Sequence, residues 1–127
     1  MNSILFSSTY IEELPSPCFM EQDPDPVSSP ELIILNTDLM DELRLDIDAP
    51  MVTALFSGNE LASGSRPVSL AYAGHQFGHF VPQLGDGRAV LLGERLDKQD
   101  TLWDIQLKGS GLTPFSRQGD GRSSLGP

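Results

Sequence analysis

The sequence predicts a small α+β domain in which short helices are followed by an antiparallel β-hairpin. Its 127 residues are enough for one domain and exclude a multidomain enzyme within this length. Before Gly85, short apolar stretches lie between capping residues, prolines and glycines, a pattern typical of short helices. After Gly85, an apolar run and then a stretch of alternating apolar and polar residues predict two neighbouring strands.

Residues 1–30 are predicted to form an extended, acidic arm ahead of the folded lobe at residues 31–127. Proline disfavours helix at its own position and at the residue before it. Five prolines fall in this segment: Pro15, Pro17, Pro24, Pro26 and Pro30. Acidic side chains are scattered between them.

The lobe is predicted to begin with Glu31–Leu35, a candidate for a short apolar strand or turn. Any of residues 36–38 is a suitable cap for a helix that runs to about Leu45. Such a helix has one apolar face, made by Leu39, Met40 and Leu43.

Two more helices are predicted before Gly85. Met51–Ser57 begins behind Pro50 and ends at Gly58, with Val52, Leu55 and Phe56 directed inward. After a loop at residues 63–65, residues 67–74 form the last predicted helix, which a glycine ends.

The predicted hairpin joins residues 89–94 to residues 102–108 through a polar connection. In the second strand the side chains alternate between the two faces of the sheet. Trp103, Ile105 and Leu107 are therefore predicted to face the core. Leu102, Asp104, Gln106 and Lys108 share the opposite face.

The charge of the chain is divided unevenly along its length. Residues 1–60 contain twelve acidic residues and one base, whereas residues 61–127 contain six acidic residues and seven bases. The two parts therefore carry net charges of −11 and +1. The acidic part repels polyanions, which argues against nucleic-acid binding and confines any phosphate chemistry to the second part.

The single cysteine, Cys18, excludes an internal disulfide and a cysteine-based zinc site. No base accompanies it, and no serine has the setting of a nucleophile elbow.

Apolar runs are too short to span a bilayer, and the N-terminus lacks the pattern of a secretion signal. We therefore expect a cytoplasmic protein that does not bind membranes.

Two Gly-Asp-Gly-Arg turns, at residues 85–88 and 119–122, lie on either side of the strand that ends in Lys108. Glycines let backbone N–H groups approach an anion, and Lys and Arg supply positive charge. The turns therefore indicate a polyphosphate site. An equally weighted alternative is that they only close hairpins and leave their arginines exposed.

Neither the P-loop pattern nor the dinucleotide-binding Gly-x-Gly-x-x-Gly pattern occurs in the chain. A strand-end lysine with a glycine turn ahead of the first strand is instead the arrangement of a kinase-like N-lobe.

His75 and His79 are four residues apart, which on a helix would suit zinc ligands. We favour the alternative that these histidines hydrogen-bond to backbone near a turn.

Two long segments resemble the signature of the selenoprotein O (SelO) family. They are AYAGHQFGHFVPQLGDGRA at residues 71–89 and WDIQLKGSGLTPFSR at residues 103–117. The resemblance implies a protein-kinase-like (pseudokinase) fold. It also implies an enzyme that transfers AMP from ATP to hydroxyls of protein Ser, Thr or Tyr residues, with the nucleotide reversed relative to ordinary kinases.

The resemblance also implies site residues. Gly85, Gly87 and Arg88 would contact the nucleotide, Lys108 would bind its phosphates, and Asp120 with Gly121 would complete the pocket. The family's catalytic base and Mg²⁺ ligands would lie after residue 127, so residues 31–127 are expected to be a partial N-lobe with half of a nucleotide pocket.

The chain is therefore expected to be an N-terminal fragment that is inactive by itself. The alternative is an inert, truncated α+β module that binds nucleotide weakly at most. Self-association through the apolar face of the hairpin is also expected.

Overall fold

A computed structural model of the chain describes residues 5–124 and confirms the α+β class. A short 3-10 helix, Ser16–Cys18, supplements the regular elements. In chain order these are α1 (Thr9–Glu13), β1 (Phe19–Glu21), α2 (Thr37–Glu42), α3 (Ala49–Phe56), β2 (Val68–Gln76), β3 (His79–Gly85), β4 (Ala89–Leu96) and β5 (Leu102–Lys108). Within residues 5–124, no helix has the length and apolar character needed to cross a bilayer.

All the strand pairs are antiparallel, and the main path of the sheet runs β1-β2-β4-β5. The first part of β2 pairs with β1 and β4, whereas its second part pairs with β3. Among the described strands, β3 pairs with β2 alone. The β2/β3 hairpin therefore extends away from the rest of the sheet.

The helix predicted at residues 67–74 is wrong, because this segment begins strand β2. Val68 and Tyr72 are residues that favour strands, and the apolar side chains at 68, 70 and 72 alternate with small ones. The strand turns back at Phe77 and Gly78, which both have positive φ, as a two-residue type I′ turn requires. His75 and His79 therefore lie on the two strands of a hairpin and not on one face of a helix.

The first two helices predicted after residue 35 are confirmed, although α2 ends at Glu42 and α3 begins at Ala49. The Asn36 side chain accepts a hydrogen bond from the Leu39 N–H (3.0 Å) and caps α2. Asp48 caps α3 in the same way, through the Met51 N–H (3.0 Å). The helices bury mainly Leu43, at the end of α2, and Val52 and Leu55 of α3.

The segment predicted as an extended arm contains α1, the 3-10 helix and β1, and its Phe6 joins the core. Phe6 is 2% exposed and packs in one cluster with four leucines. The cluster consists of Phe6, Leu43, Leu45, Leu92 and Leu107.

Hydrogen bonds also hold Ser7 and Thr9 against β4. The carboxylate of Glu94, a residue 1% exposed, accepts hydrogen bonds from Ser7 Oγ (3.3 Å), Thr9 N (3.1 Å) and Thr9 Oγ1 (2.8 Å). The backbones of Ser7 and Glu94 exchange a further pair of hydrogen bonds. Residues 5–9 are therefore part of the folded domain.

The segment after Pro30 forms neither strand nor helix before Thr37. Its apolar side chains point largely to solvent, with Ile33 66% and Ile34 84% exposed. An apolar pentapeptide was expected to be a short strand or turn, but no strand edge in the described chain pairs with it.

The predicted β4/β5 hairpin is confirmed, with Ala89 opposite Lys108 at its open end. Leu107 is buried and Ile105 packs against the core, as expected. Trp103 is 43% exposed, so its predicted burial is wrong. Its indole N–H donates to Asp97 Oδ2 (2.8 Å), which holds the ring at the closed end of the hairpin. The core already covers Leu107 and packs against Ile105, which leaves less apolar surface on this face for contact with a second copy. Self-association stays a prediction.

The carboxylate of Asp97 holds the β4/β5 turn in shape and makes the stability of the domain depend on pH. Its other oxygen, Oδ1, accepts from the N–H groups of Gln99 (2.8 Å) and Thr101 (2.9 Å). The Trp103 indole and then these amides hold the pKa of Asp97 below its ordinary 3.8, although burial acts in the opposite direction. Because the folded pKa lies below the unfolded one, this stabilisation is complete above pH 3.8 and is lost as the pH falls through the folded pKa.

We therefore expect Asp97→Asn to lower the Tm at pH 7, and the difference from the wild type to narrow below pH 3.8. Thermal melts followed by circular dichroism over a pH series measure this. Asp100→Asn is the matched control, because Asp100 lies in the same turn but is exposed and only pairs with Arg44 at 3.6 Å. A Tm difference for Asp97→Asn that stays constant from pH 7 to pH 2 would contradict the expectation.

Candidate functional site

The first Gly-Asp-Gly-Arg turn connects β3 to β4, and the side chain of Asp86 braces it from inside. One Asp86 oxygen accepts from the Tyr72 hydroxyl (3.2 Å), and the other accepts from Leu70 N (3.3 Å) and from Gln106 Nε2 (3.4 Å). Burial, with Asp86 close by, raises the pKa of the Tyr72 phenol, so the phenol remains a donor. Asp86 therefore shapes this turn and leaves Gly85, Gly87 and Arg88 to form its surface.

A second segment, Thr113–Ser116, closes over this turn. Thr113 Oγ1 donates to the carbonyl of Asp86 (2.5 Å), and Ser116 Oγ donates to that of Gly87 (2.6 Å). The Phe115 ring lies against Gly85 so closely that a Cβ there would overlap it. Sequence reasoning missed these contacts, although Thr-Pro-Phe-Ser is recognisable as a turn with hydroxyls suited to backbone hydrogen bonds.

The strand-end lysine lies beside the same turn. Lys108 is the cross-strand partner of Ala89, the residue after Arg88, and the next N–H, of Gly109, donates to the Arg88 carbonyl (2.6 Å). Lys108 shares a face of β5 with Gln106, whose amide reaches Asp86. The sheet thus brings Lys108 to the turn that carries Arg88, and their side chains are exposed.

The second Gly-Asp-Gly-Arg turn joins this group through the loop after β5. Ser110 and Arg122 form an isolated antiparallel bridge, and the N–H of Gly111 donates to the Gly121 carbonyl (3.1 Å). Asp120 Oδ1 accepts from the backbone N–H of Arg122 (2.9 Å), which shapes the turn. The structure therefore makes neighbours of residues 85–88, 108–111 and 119–122.

A residue of the N-terminal segment supports this loop. The Asp25 N–H donates to the Ser110 carbonyl (2.8 Å), and its Oδ2 accepts from the Leu112 N–H (3.0 Å). The hydroxyl of Ser110, a residue 6% exposed, has no hydrogen-bond partner among the described residues. An unsatisfied buried hydroxyl is a place where a bound water or a ligand oxygen is expected.

The distribution of ion pairs separates these segments from the rest of the described chain. Arg44, Arg66 and Lys98 pair with carboxylates, and the Arg95 guanidinium donates to three backbone carbonyls. Within residues 5–124, the other four basic side chains make no ion pair, and all four belong to the glycine-rich region: Arg88, Lys108, Arg117 and Arg122. In a chain of net charge −10, four cations without carboxylate partners form a candidate anion site.

The two histidines do not form the zinc site that their spacing would suit on a helix. His75 lies in β2 opposite Phe80, with the two rings edge to face, whereas His79 lies in β3 opposite Gln76. Within residues 5–124, no three His, Cys, Asp or Glu side chains are placed to hold a metal ion. Asp86 and Asp120 are engaged with the turns, so the residues described here do not fit a Mg²⁺ site.

Fold and site together define an α+β domain with a glycine-lined, cationic surface at the open end of its β4/β5 hairpin. A family model described as "Protein adenylyltransferase SelO" matches residues 3–126. The chain therefore belongs to the SelO family, which confirms the resemblance.

Curated relatives agree with this assignment. The chain is 56% identical over 126 residues to "Protein nucleotidyltransferase YdiU" of Rhizobium rhizogenes, an alignment that covers 98% of this chain and 25% of the relative. A protein of the same name from Agrobacterium fabrum is 59% identical over 107 residues, covering 82% of this chain and 22% of the relative. The chain spans about a quarter of the length of the curated relatives it matches.

Proposed function

We propose that this chain is the part of a protein adenylyltransferase that holds the phosphates of ATP. The observation that carries the proposal is the group of four unpaired cations on adjoining glycine-rich segments of an acidic chain. Of the other four basic side chains between residues 5 and 124, three pair with carboxylates and Arg95 donates to three backbone carbonyls. A polyphosphate supplies the negative charge that this surface lacks.

Each site residue then has a distinct role. Gly85 and Gly87 let Thr113–Ser116 pack directly on the first turn, which fixes the turn that presents Arg88 to the nucleotide. Arg88 offers a planar fork to phosphate oxygens, and Lys108 offers a point charge from the adjoining strand. Asp120 and Gly121 set the second turn that completes the pocket.

In the whole protein, we propose a kinase-like (pseudokinase) fold that carries out nucleotidyl transfer. A hydroxyl oxygen of a protein Ser, Thr or Tyr would attack the α-phosphorus of ATP, the bond from that phosphorus to the bridging oxygen would break, and pyrophosphate would leave. The hydroxyl proton passes to a base. We assign that base, and the ligands of the Mg²⁺ that neutralises the phosphates, to the part of the family's length that this chain does not span.

The 127-residue chain is accordingly a nucleotide-binding piece that does not catalyse transfer by itself. Incubation with α-labelled ATP and a hydroxyl-bearing protein should yield no labelled product. A second candidate, an inert α+β module, is favoured only by the ordinary turn-closing contacts of Asp86 and Asp120.

Removal of the lysine ammonium tests the proposed ATP site. We expect ATP to shift the amide resonances of Gly87, Arg88 and Lys108, and Lys108→Ala to weaken binding about 10- to 100-fold, because a hydrogen bond to a charged group is lost. Titrations by NMR, with calorimetry for affinity, measure this.

Lys98→Ala is the matched control, since Lys98 pairs with Asp41 at the opposite end of the hairpin. Its ATP affinity should equal that of the wild type. An amide spectrum that ATP leaves unchanged, or equal losses in both lysine variants, would favour the inert module.

A further inference from the structure

Asp25 joins the acidic N-terminal segment to the loop that follows Lys108. Its N–H donates to the Ser110 carbonyl (2.8 Å), and its Oδ2 accepts from the Leu112 N–H (3.0 Å). Ser110 and Leu112 are the neighbours of Gly111 in the sequence. Asp25 therefore holds the backbone on both sides of this glycine.

The side chain of Asp25 also packs directly on Gly111. A Cβ on Gly111 would overlap the Asp25 carboxylate, and the φ of Gly111 is +111°, a conformation that favours glycine. Gly111 in turn donates its N–H to the Gly121 carbonyl (3.1 Å), and a Cβ on Gly121 would overlap Gly111. Because Gly111 contacts both, the position of Asp25 determines where the second Gly-Asp-Gly-Arg turn lies relative to Lys108.

Asp25 is presented to this loop from a rigid segment. It lies between two prolines, which fix their own φ and keep the residue before them out of the helical region. Pro24 is buried and packs against Gly58, where a Cβ would overlap it. Val27 and the side-chain amide of Asn59 exchange two hydrogen bonds, donated by Val27 N (2.7 Å) and by Asn59 Nδ2 (2.9 Å). The segment that carries Asp25 is thus anchored on both sides of it.

The charge of Asp25 does not explain its place beside the proposed phosphate site. A carboxylate repels a polyphosphate, and Asp25 forms no ion pair within residues 5–124. Its Oδ2 accepts instead from a backbone N–H. What the side chain supplies is a hydrogen-bond acceptor at a fixed position.

We infer that Asp25 is a positioning residue for polyphosphate binding, which holds residues 110–112 so that Lys108 and the second turn face the same ligand. Asp25 acts through the loop and needs no contact with the ligand. This inference rests on the proposed function, since it assigns the residue that orders one loop of the proposed phosphate site.

Three substitutions of Asp25 separate its position from its charge. Asp25→Asn removes the charge but keeps an acceptor in place, so its affinity for inorganic tripolyphosphate should equal or exceed that of the wild type. Asp25→Glu keeps the charge but adds a methylene where Gly111 leaves no room, and its affinity should fall about 3- to 10-fold. Asp25→Ala removes the acceptor, and its affinity should fall about 10-fold. Calorimetric titration of the 127-residue chain measures all three.

Asp23→Ala is the matched control, because it removes the same charge from an exposed residue of the same segment. It should bind tripolyphosphate at least as tightly as the wild type. Amide hydrogen exchange provides a second readout, since in Asp25→Ala it should accelerate at Gly111 and Leu112 and stay unchanged in β4. If Asp25→Ala loses the amide dispersion of a folded domain, the Asn and Glu variants decide the result.

The outcomes separate this inference from the proposed function. Wild-type affinity in both Asp25→Glu and Asp25→Ala overturns the positioning role and leaves the phosphate site standing. Equal losses in Asp25→Asn and Asp25→Glu also overturn it, because an acceptor in place would then not be sufficient. A wild-type chain that does not bind tripolyphosphate overturns the proposed phosphate site, and the role of Asp25 in binding this ligand with it.

Discussion

Phe6→Ala should destabilise this domain by about 3–5 kcal/mol, one of the largest losses that a single substitution can cause here. Phe6 is 2% exposed and packs with Leu92 of the sheet and Leu43 beside α2. Removal of the ring leaves a cavity that the sheet and the helices cannot close together. Since the free energy of unfolding of a small domain is about 5–15 kcal/mol, this substitution removes a large part of it.

Urea denaturation followed by circular dichroism measures this effect. Phe77→Ala is the matched control, because Phe77 is 90% exposed at the tip of the β2/β3 hairpin and should change stability by no more than about 0.5 kcal/mol. Equal urea midpoints for the two variants would show that residues 5–9 do not belong to the core.

Gly121→Ala should damage both stability and the proposed site. Gly121 has a φ of +72°, and a Cβ on it would overlap the carbonyl of Gly111. The left-handed conformation costs a non-glycine residue about 1–2 kcal/mol, and forcing packed backbone apart adds about 1–3. We therefore expect a loss of about 2–5 kcal/mol together with weaker ATP binding, because residues 108–111 must move.

Gly119→Ala, in the same turn, is the control for this substitution. A Cβ at Gly119 meets only the Ser116 carbonyl oxygen, at 3.3 Å, so the stability should change by less than about 1 kcal/mol. Chemical denaturation and an ATP titration on both variants provide the two readouts. If Gly121→Ala matches Gly119→Ala in both, the two turns are not coupled through Gly111.

Local chemistry made much of the fold predictable from the sequence. The three capping residues at 36–38 predict α2, and Pro50 with Gly58 predicts α3, because caps, proline and glycine act within a few residues of where they stand. The alternation from Leu102 to Lys108 predicts β5 for the same reason. The sequence also offers Asp48 as a helix-capping residue, one residue before the start of α3, where its side chain accepts from the Met51 N–H.

The errors arose where partners distant in sequence decide the structure. Residues 67–74 contain no charge and end in glycine, so nothing local separates a helix from a strand there, and pairing with β1 and β4 makes the choice. Trp103 falls on the same face of the alternation as Ile105 and Leu107, but its indole N–H donates to Asp97 at the closed end of the hairpin and the ring stays 43% exposed. The burial of Phe6 depends on residues more than thirty positions away.

In the candidate site, too, local signals identified some residues, and contacts between residues distant in sequence decided the rest. Its glycines, Arg88 and Lys108 could be selected from motif and charge alone. The closure of residues 113–116 over the first turn and the support from Asp25 involve separations of 27 to 87 residues, which no local pattern encodes. That all four unpaired cations belong to one region became apparent only when the partners of the other four were known.

The attachment of residues 7–9 to β4 also sets the order in which parts of the core can form during synthesis. Ser7 binds Glu94, which lies 87 residues later in the chain. At a translation rate of about 5–20 residues per second, Glu94 is added about 4–17 s after Ser7. During that interval Phe6 has no leucine of β4 to pack against, so its ring stays outside a folded core until β4 has been made.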